Sequence, residues 1–311
     1  MLTIFFITLP FFALVLCGFG AGYWGLLKPP GIAGVNSFVF NFALPALLFS
    51  TMAKTPVVEI FDWSFIGAYL LASLAVFAAA AGLGRILFTS RLGEAAVLGM
   101  AASYSNIGFM GIPLLVAVIG DAVAIPLALI LMVDLSVTVP LAMLLMEFDR
   151  NGNRQWRHLK SSLIQLILRN PLVIAIITGI GVSAVELTLP AALKAFIDFL
   201  AAAAGPCALF ALGASLANRP LASGAGETGY MCAFKLVIHP LAVWVVMGAF
   251  AIAPLWAKAA TLGVSMPIAA GVFVIAQQYR VDELKASTAV LVSTALSMLT
   301  ATAAIALLGL G

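Results

Sequence analysis

Charge is what this 311-residue chain has least of. Only 9% of its residues are Asp, Glu, Lys or Arg, against about a quarter in an ordinary soluble domain. Its longest polar stretch runs only from Glu147 to Ser162, which leaves no room for a soluble domain. Cysteine is scarce too. Cys17, Cys207 and Cys232 sit in apolar surroundings without motif spacing, so neither a disulfide framework nor a thiolate metal site is expected. No cluster of histidine, cysteine and carboxylate residues has metal-ligand spacing, and no glycine-rich loop carries a phosphate-binding lysine. No cofactor, built-in ATPase or enzyme activity is therefore expected. The small net charge of +3 carries no nucleic-acid signal.

What is present is apolar sequence from end to end: 64% hydrophobic residues and a mean hydropathy of +1.18. The runs are continuous and near 20 residues long, which suits membrane helices rather than the alternating strands of a β-barrel. Ten spans are read, at 2–26, 32–52, 63–88, 95–119, 124–146, 164–184, 191–216, 231–252, 258–277 and 284–309. The N-terminal MLTIFFITLP has no basic region and is read as the first span, not a signal peptide. Twelve basic residues, Lys235 among them, fall on the side of the loops joining spans 1–2, 3–4, 5–6, 7–8 and 9–10. Lys54, Lys194 and Lys258 fall on the other. The richer side is assigned to the cytoplasm, with both termini outside.

Five spans on each side of a basic linker suggest two repeats, 1–148 and 163–311, joined by a cytoplasmic linker at 149–162. An odd number of spans per repeat inverts the second against the first. Span 2 contains NFALPALLF (Asn41–Phe49) and span 7 contains AAGPCALFALG (Ala203–Gly213); Pro45 and Pro206 are 161 residues apart. Roughly that offset carries Asn106–Pro113, within SNIGFMGIPLL of span 4 (Ser105–Leu115), onto MPIAAGVF of span 9 (Met266–Phe273).

The span 4 stretch places Asn106, Gly108, Gly111 and Pro113 in mid-membrane. Its counterpart places Ser265, Pro267 and Gly271 there. Proline removes a backbone donor and crowds the preceding turn. A break in hydrocarbon survives only where it lines a cavity or is covered by protein. Paired broken helices in inverted halves point to a transporter's substrate site, and helix N-termini meeting there suit an anion. Asn106 is read as a substrate ligand. Gln277, at the end of span 9, is placed in the inner vestibule.

Asp134 lies in the middle of span 5, and an intramembrane carboxylate is a functional candidate. It carries a coupling proton, pairs with a base on span 8, or contacts substrate or ion. The bases on offer are Lys235 and His239, four apart on one helix face. Lys194 and Asp198 are read as an interfacial pair on span 7.

NIGFMGIPLL in span 4 resembles the auxin efflux carrier family, which includes the plant PIN auxin exporters and bacterial malonate permease-like proteins. So do NFALPALLF in span 2, GPCALFALGASLA in span 7, GVSMPIAAGVFVIAQQY in span 9 and LKASTAVLVSTALS in span 10. The resemblance covers essentially the whole chain. It implies an all-α, ten-span inverted repeat of the bile-acid-symporter-like fold, with helices 4 and 9 broken and crossed. Spans 1, 2, 6 and 7 would form a scaffold that dimerises through spans 2 and 7. Spans 3–5 and 8–10 would move as an elevator-type transport domain. By motif, Asn106 and Gly111–Pro113 match the family's span 4 crossover, and Pro267–Gly271 that of span 9. Ala270–Gly271 stands where many relatives carry an asparagine or a further proline.

The expected function is secondary transport of small organic anions, mono- or dicarboxylates such as malonate, malate or auxin-like acids, with proton coupling open. The expected setting is the lipid bilayer of a bacterial inner membrane. Rival readings are transport of amino acids or other small solutes, a channel, or a receptor. A channel wants a continuous polar stripe, and a receptor wants an extramembrane domain.

Overall fold

Apolar composition this dense makes helix the default, because a helix satisfies every interior backbone group within its own segment. In the computed structural model, residues 2–56, 60–88, 91–151, 169–217 and 224–309 are described. Those residues are helical, apart from turns and one isolated bridge. In chain order the helices are α1 (Leu2–Tyr23), α2 (Pro29–Lys54), α3 (Trp63–Leu87), α4 (Leu92–Ser103), α5 (Ile107–Ile119) and α6 (Asp121–Arg150). Then come α7 (Pro171–Ala184), α8 (Ala191–Leu216), α9 (Ala225–Ala249), α10 (Pro254–Val264), α11 (Ala270–Tyr279) and α12 (Glu283–Leu307). Six of them, α2, α3, α6, α8, α9 and α12, are long and apolar enough to cross a membrane. Nearly all of the expected linker, 152–162, and the start of span 6 lie outside the described residues.

Local chemistry sets several helix starts. Pro29, Pro171 and Pro254 open α2, α7 and α10, where the missing N–H costs nothing. Asn170 caps α7 by accepting the Leu172 N–H at 2.9 Å. Asp149 accepts the Leu92 N–H at the head of α4 at 3.1 Å, a carboxylate at the positive end of a helix.

Four interior prolines follow a rule. Pro45, Pro113, Pro140 and Pro240 each come two residues after a π-helical turn: Val39–Ala43, Ile107–Gly111, Asp134–Thr138 and Phe234–Ile238. A proline cannot donate back, and its ring pushes the preceding carbonyl aside. The helix widens by one residue and continues. Span 2 is therefore unbroken at Pro45, and α8 runs straight through Pro206.

The chain divides into two compact units, each drawing on both halves of the sequence. The first comprises Met1–Trp63, Gly108–Leu129 and Ile167–Asn218; the second comprises Ser64–Ile107, Ile130–Leu166 and Arg219–Gly311. In the first, α1 and α8 touch backbone to backbone. A Cβ on Gly18 would lie 2.0 Å from the Phe210 carbonyl oxygen, and one on Gly213 would lie 1.9 Å from that of Val15. Small residues allow such approach in membrane proteins, where dispersion contacts replace the hydrophobic effect between helices. Gly179 brings α7 close to α2 less tightly, with Met52 Cβ and the Phe49 carbonyl oxygen 2.8 and 2.9 Å from an added Cβ. Asn36 donates to Ser215 across α2 and α8 at 2.8 Å.

The resemblance keeps all of spans 4 and 5 with the second unit. The structure instead places Gly108–Leu129 in the first. Pro113 packs on Gly205 there, and Phe109 stacks on Phe40 at 6.3 Å. In the second unit, Gly99 lets α4 approach the Phe77 carbonyl of α3, and Tyr230 donates to the Ala80 carbonyl at 2.7 Å.

Gly213→Ala is expected to force α1 from α8 and cost about 3 kcal/mol by overpacking. Gly181→Ala meets nothing within 4 Å and is expected to be tolerated. Thermal midpoints of the two variants in one detergent check the contrast.

Candidate functional site

Two helices come undone inside the second unit. Between α4 and α5 the chain unwinds over Tyr104–Asn106, and between α10 and α11 over Ser265–Ala269. The two unwound pieces pair antiparallel at Ser105 and Ile268. Asn106 N–H donates to the Pro267 carbonyl at 2.9 Å, and Ala269 N–H to the Tyr104 carbonyl at 3.1 Å. The Ile268 N–H is taken by Ser293 Oγ of α12 at 3.1 Å. The freed backbone thus finds partners in the other break and in α12, as membrane interiors require. Gly271 makes room for Tyr104, whose ring would lie 3.0 Å from an added Cβ.

The break in span 4 falls before Pro113, not at it. Pro113 sits in the first turn of the α-helical part of α5 and lines a cavity of about 670 Å³ in the first unit, together with Lys54, Asp198, Gly205 and Pro206. Gly108 and Gly111 belong to that unit as well. So do Asn41 and Pro45. Asn41 is exposed and returns its amide to Ser37 of its own helix, at 2.9 Å to the carbonyl. Ser265 does lie at the crossover but donates to the Thr261 carbonyl at 2.7 Å. Pro267 accepts at the pairing itself. Gln277 is exposed on α11, seven residues after its start, which is about 10 Å along the helix. Asp198 pairs with Lys54 of α2 at 3.3 Å and accepts from Ser50 at 3.0 Å, an interhelical contact rather than the expected one along α8.

Asn106 is 3% exposed, and its Nδ2 has no acceptor among the described residues. A buried amide donor left unmade carries the full desolvation cost of that group. It stands directly before α5 in the chain, and α11 begins at Ala270, just beyond the pairing. The first N–H groups of a helix have no intrahelical acceptor, and they favour negative charge.

Behind the crossover lies a buried polar network. Lys235, counted above as a loop charge, is instead fully buried within α9. Its Nζ donates to Ser105 Oγ at the crossover and to His239 Nδ1 at 2.9 Å. An ammonium only donates, so Nδ1 accepts, and Nε2–H is left to donate to Ser73 Oγ at 3.1 Å. Asp134 Oδ1 accepts from Tyr69 at 2.9 Å and from Thr138 at 3.2 Å, while Oδ2 has no partner among the described residues. Tyr69 and Ser73 are one turn apart on α3, so that helix joins the carboxylate to the Lys235–His239 pair. The expected direct pairing of Asp134 with a base on span 8 is not formed: among the described residues no ion pair links it to Lys235 or His239. Both bases are held within one helix by the π turn at Phe234–Ile238. Sequence reasoning missed Tyr69, Ser73 and Ser293, because no local signal separates them from ordinary helix residues.

A family model described as "Membrane transport protein" matches residues 3–305. The chain is 34% identical over 301 residues to a protein of Rhizobium meliloti named "Putative malonate transporter", covering 95% of this chain and 93% of that one. It is 28% identical over 248 residues to "Uncharacterized transporter YfdV" of Escherichia coli, covering 76% of each chain. It is 27% identical over 219 residues to "Lysosomal cholesterol signaling protein" of Mus musculus, covering 67% of this chain and 25% of that longer protein. A multi-pass membrane transporter rather than an enzyme is the class that fold and comparisons define. The chain belongs to the membrane transport protein family, the auxin efflux carrier family to which the motifs of spans 2, 4, 7, 9 and 10 point.

Ser293→Ala leaves the Ile268 N–H buried without an acceptor and is expected to cost about 1–3 kcal/mol. Ser287 is equally buried, and its hydroxyl has no partner, so Ser287→Ala is expected to be neutral. Chemical denaturation of both variants checks this.

Proposed function

We propose that the protein is a secondary active transporter of small organic anions, mono- or dicarboxylates of the malonate, malate or auxin type, with the substrate bound at the crossover. The observation that carries this reading is the Asn106 amide, buried, without an acceptor, at the point where α4 gives way to α5. A carboxylate oxygen supplies the acceptor it lacks. Lys235 brings a positive charge to the same point through Ser105. The name of the Rhizobium relative supports the choice of acid.

The reading extends to a ten-span chain of two inverted repeats with both termini outside, in a bacterial inner membrane, dimeric through α2 and α8. Alternating access is elevator-type: the unit that carries the crossover moves its cargo across the bilayer. The division of the chain into two compact units supports this. Asp134, buried with one oxygen unused, is the coupling proton's place.

The test is uptake into proteoliposomes. Asn106→Ala is expected to lower malonate uptake by more than about tenfold, the loss of one hydrogen bond to a charged group, with an unchanged thermal midpoint. A folded variant with wild-type uptake of malonate and of monocarboxylates removes Asn106 from the site.

A further inference from the structure

Lys235 and Asp134 are both wholly buried in the second unit, yet neither has an ion-pair partner among the described residues. An ammonium has three N–H groups, and Ser105 and His239 take two of them. Isolated buried charges are severely costly, so each needs a counter-charge. Asp134 is the carboxylate tied to the Lys235–His239 pair through α3, by Tyr69 and, one turn on, Ser73. The titratable groups set around the pair are Tyr69 against Asp134, Tyr104 at the crossover and His239 beside Lys235. None of these supplies a second negative charge.

We infer that Lys235 is a fixed cation served in turn by two anions, Asp134 when the site is empty and the substrate's carboxylate when it is loaded, so that substrate and proton travel together. This rests on the anion-transport reading above. Its structural basis is the bond from Lys235 to Ser105, which places the charge one residue from the free amide of Asn106. A carboxylate arriving there receives the unspent N–H of Lys235 and the Nδ2 of Asn106. Asp134 then no longer faces an unbalanced cation, and its unpartnered Oδ2 takes up one proton. When the carboxylate leaves, the proton leaves with it, and Asp134 again balances Lys235. Without a titratable Asp134 the loaded site stays balanced, but the empty site holds a bare buried ammonium and cannot return across the bilayer. Lys235 is thus the positioning charge that sets substrate class, an acid with at least one ionised carboxylate, and the coupling ratio.

The consequence separates two modes of transport that a merely structural role would affect alike. Proteoliposomes of the full chain are loaded with radiolabelled malonate, and net uptake is compared with exchange of internal for external malonate. Asp134→Asn is expected to lose net uptake by more than about tenfold while keeping exchange within about threefold of wild type. Lys235→Gln, which keeps hydrogen-bonding capacity and loses the charge, is expected to lose both. In the wild type a trapped pH dye is expected to report at least one proton entering with each malonate, the one taken up by Asp134 for the carboxylate at Lys235, a measurement that needs no variant to fold. Equal loss of exchange and net uptake in a folded Asp134→Asn protein overturns the inference, as does undiminished net uptake or malonate entry without a proton. Wild-type vesicles that carry no malonate in either mode strike the anion-transport reading itself.

Discussion

Backbone polarity that must be paired away from water is the constraint on which the rest of this structure depends. A continuous helix meets it without help. A broken one does not, since each freed N–H or C=O in hydrocarbon costs several kcal/mol. This chain breaks two helices in one place and lets each repair the other. Tyr104 and Asn106 trade hydrogen bonds with Pro267 and Ala269 across a single bridge, and Ser293 takes the remaining Ile268 N–H. The arrangement admits only residues that fit the pairing. Pro267 contributes a carbonyl where no donor is called for, and Gly271 clears the ring of Tyr104. What remains unspent is the Asn106 side chain, and an unspent buried donor at such a point is a statement about ligand chemistry.

The π turns are the second expression of the same constraint. Each of the four precedes a proline by two residues, and each lets the helix absorb the missing donor without unwinding. Two of them place the charged side chains. Asp134 opens the turn ahead of Pro140, and Lys235 lies in the turn ahead of Pro240. A widened turn rotates the following helix face by the angle of one extra residue.

This explains which parts were legible in the sequence. The helical membrane class follows from the scarcity of charge, and the crossover regions follow from the Asn-Gly-Gly-Pro and Ser-Met-Pro stretches. The location of the first break is not legible in the sequence, because proline marks two outcomes alike. At Pro45 and Pro113 it sits beyond a π turn in a continuous helix, and at Pro267 it lies in a true break. Nothing local distinguishes them; what decides is whether another unwound strand lies opposite to accept the pairing. Lys235 was misread for a related reason. Counting basic residues by loop assumes that a lysine near a span's end reaches water. Here α9 begins at Ala225, ten residues before it. The division into units was equally hidden, because the contacts of Phe109 with Phe40 and of Pro113 with Gly205 are long-range and leave no periodic trace.

Keeping an ammonium and a carboxylate buried without joining them is costly, and a simple stability argument disfavours it. A directly bonded pair would lower that cost, and a pair of apolar residues would abolish it. The sequence instead ties Asp134 to Tyr69 and Thr138 and ties Lys235 to Ser105 and His239. Each charge is held by its own hydrogen bonds, and among the described residues no ion pair joins the two. Had they formed a tight bridge, an arriving anion would have to break it, and binding would bear that cost. On the proposed anion-transport reading, the two charges are under-satisfied in the empty site, so an arriving carboxylate gains by entering. The instability is local, and the surrounding helices carry it. On the proposed reading, a proton on Asp134 and one carboxylate group at Lys235 are added together at little net electrostatic change, which is the physical condition for moving a charged group through an apolar interior.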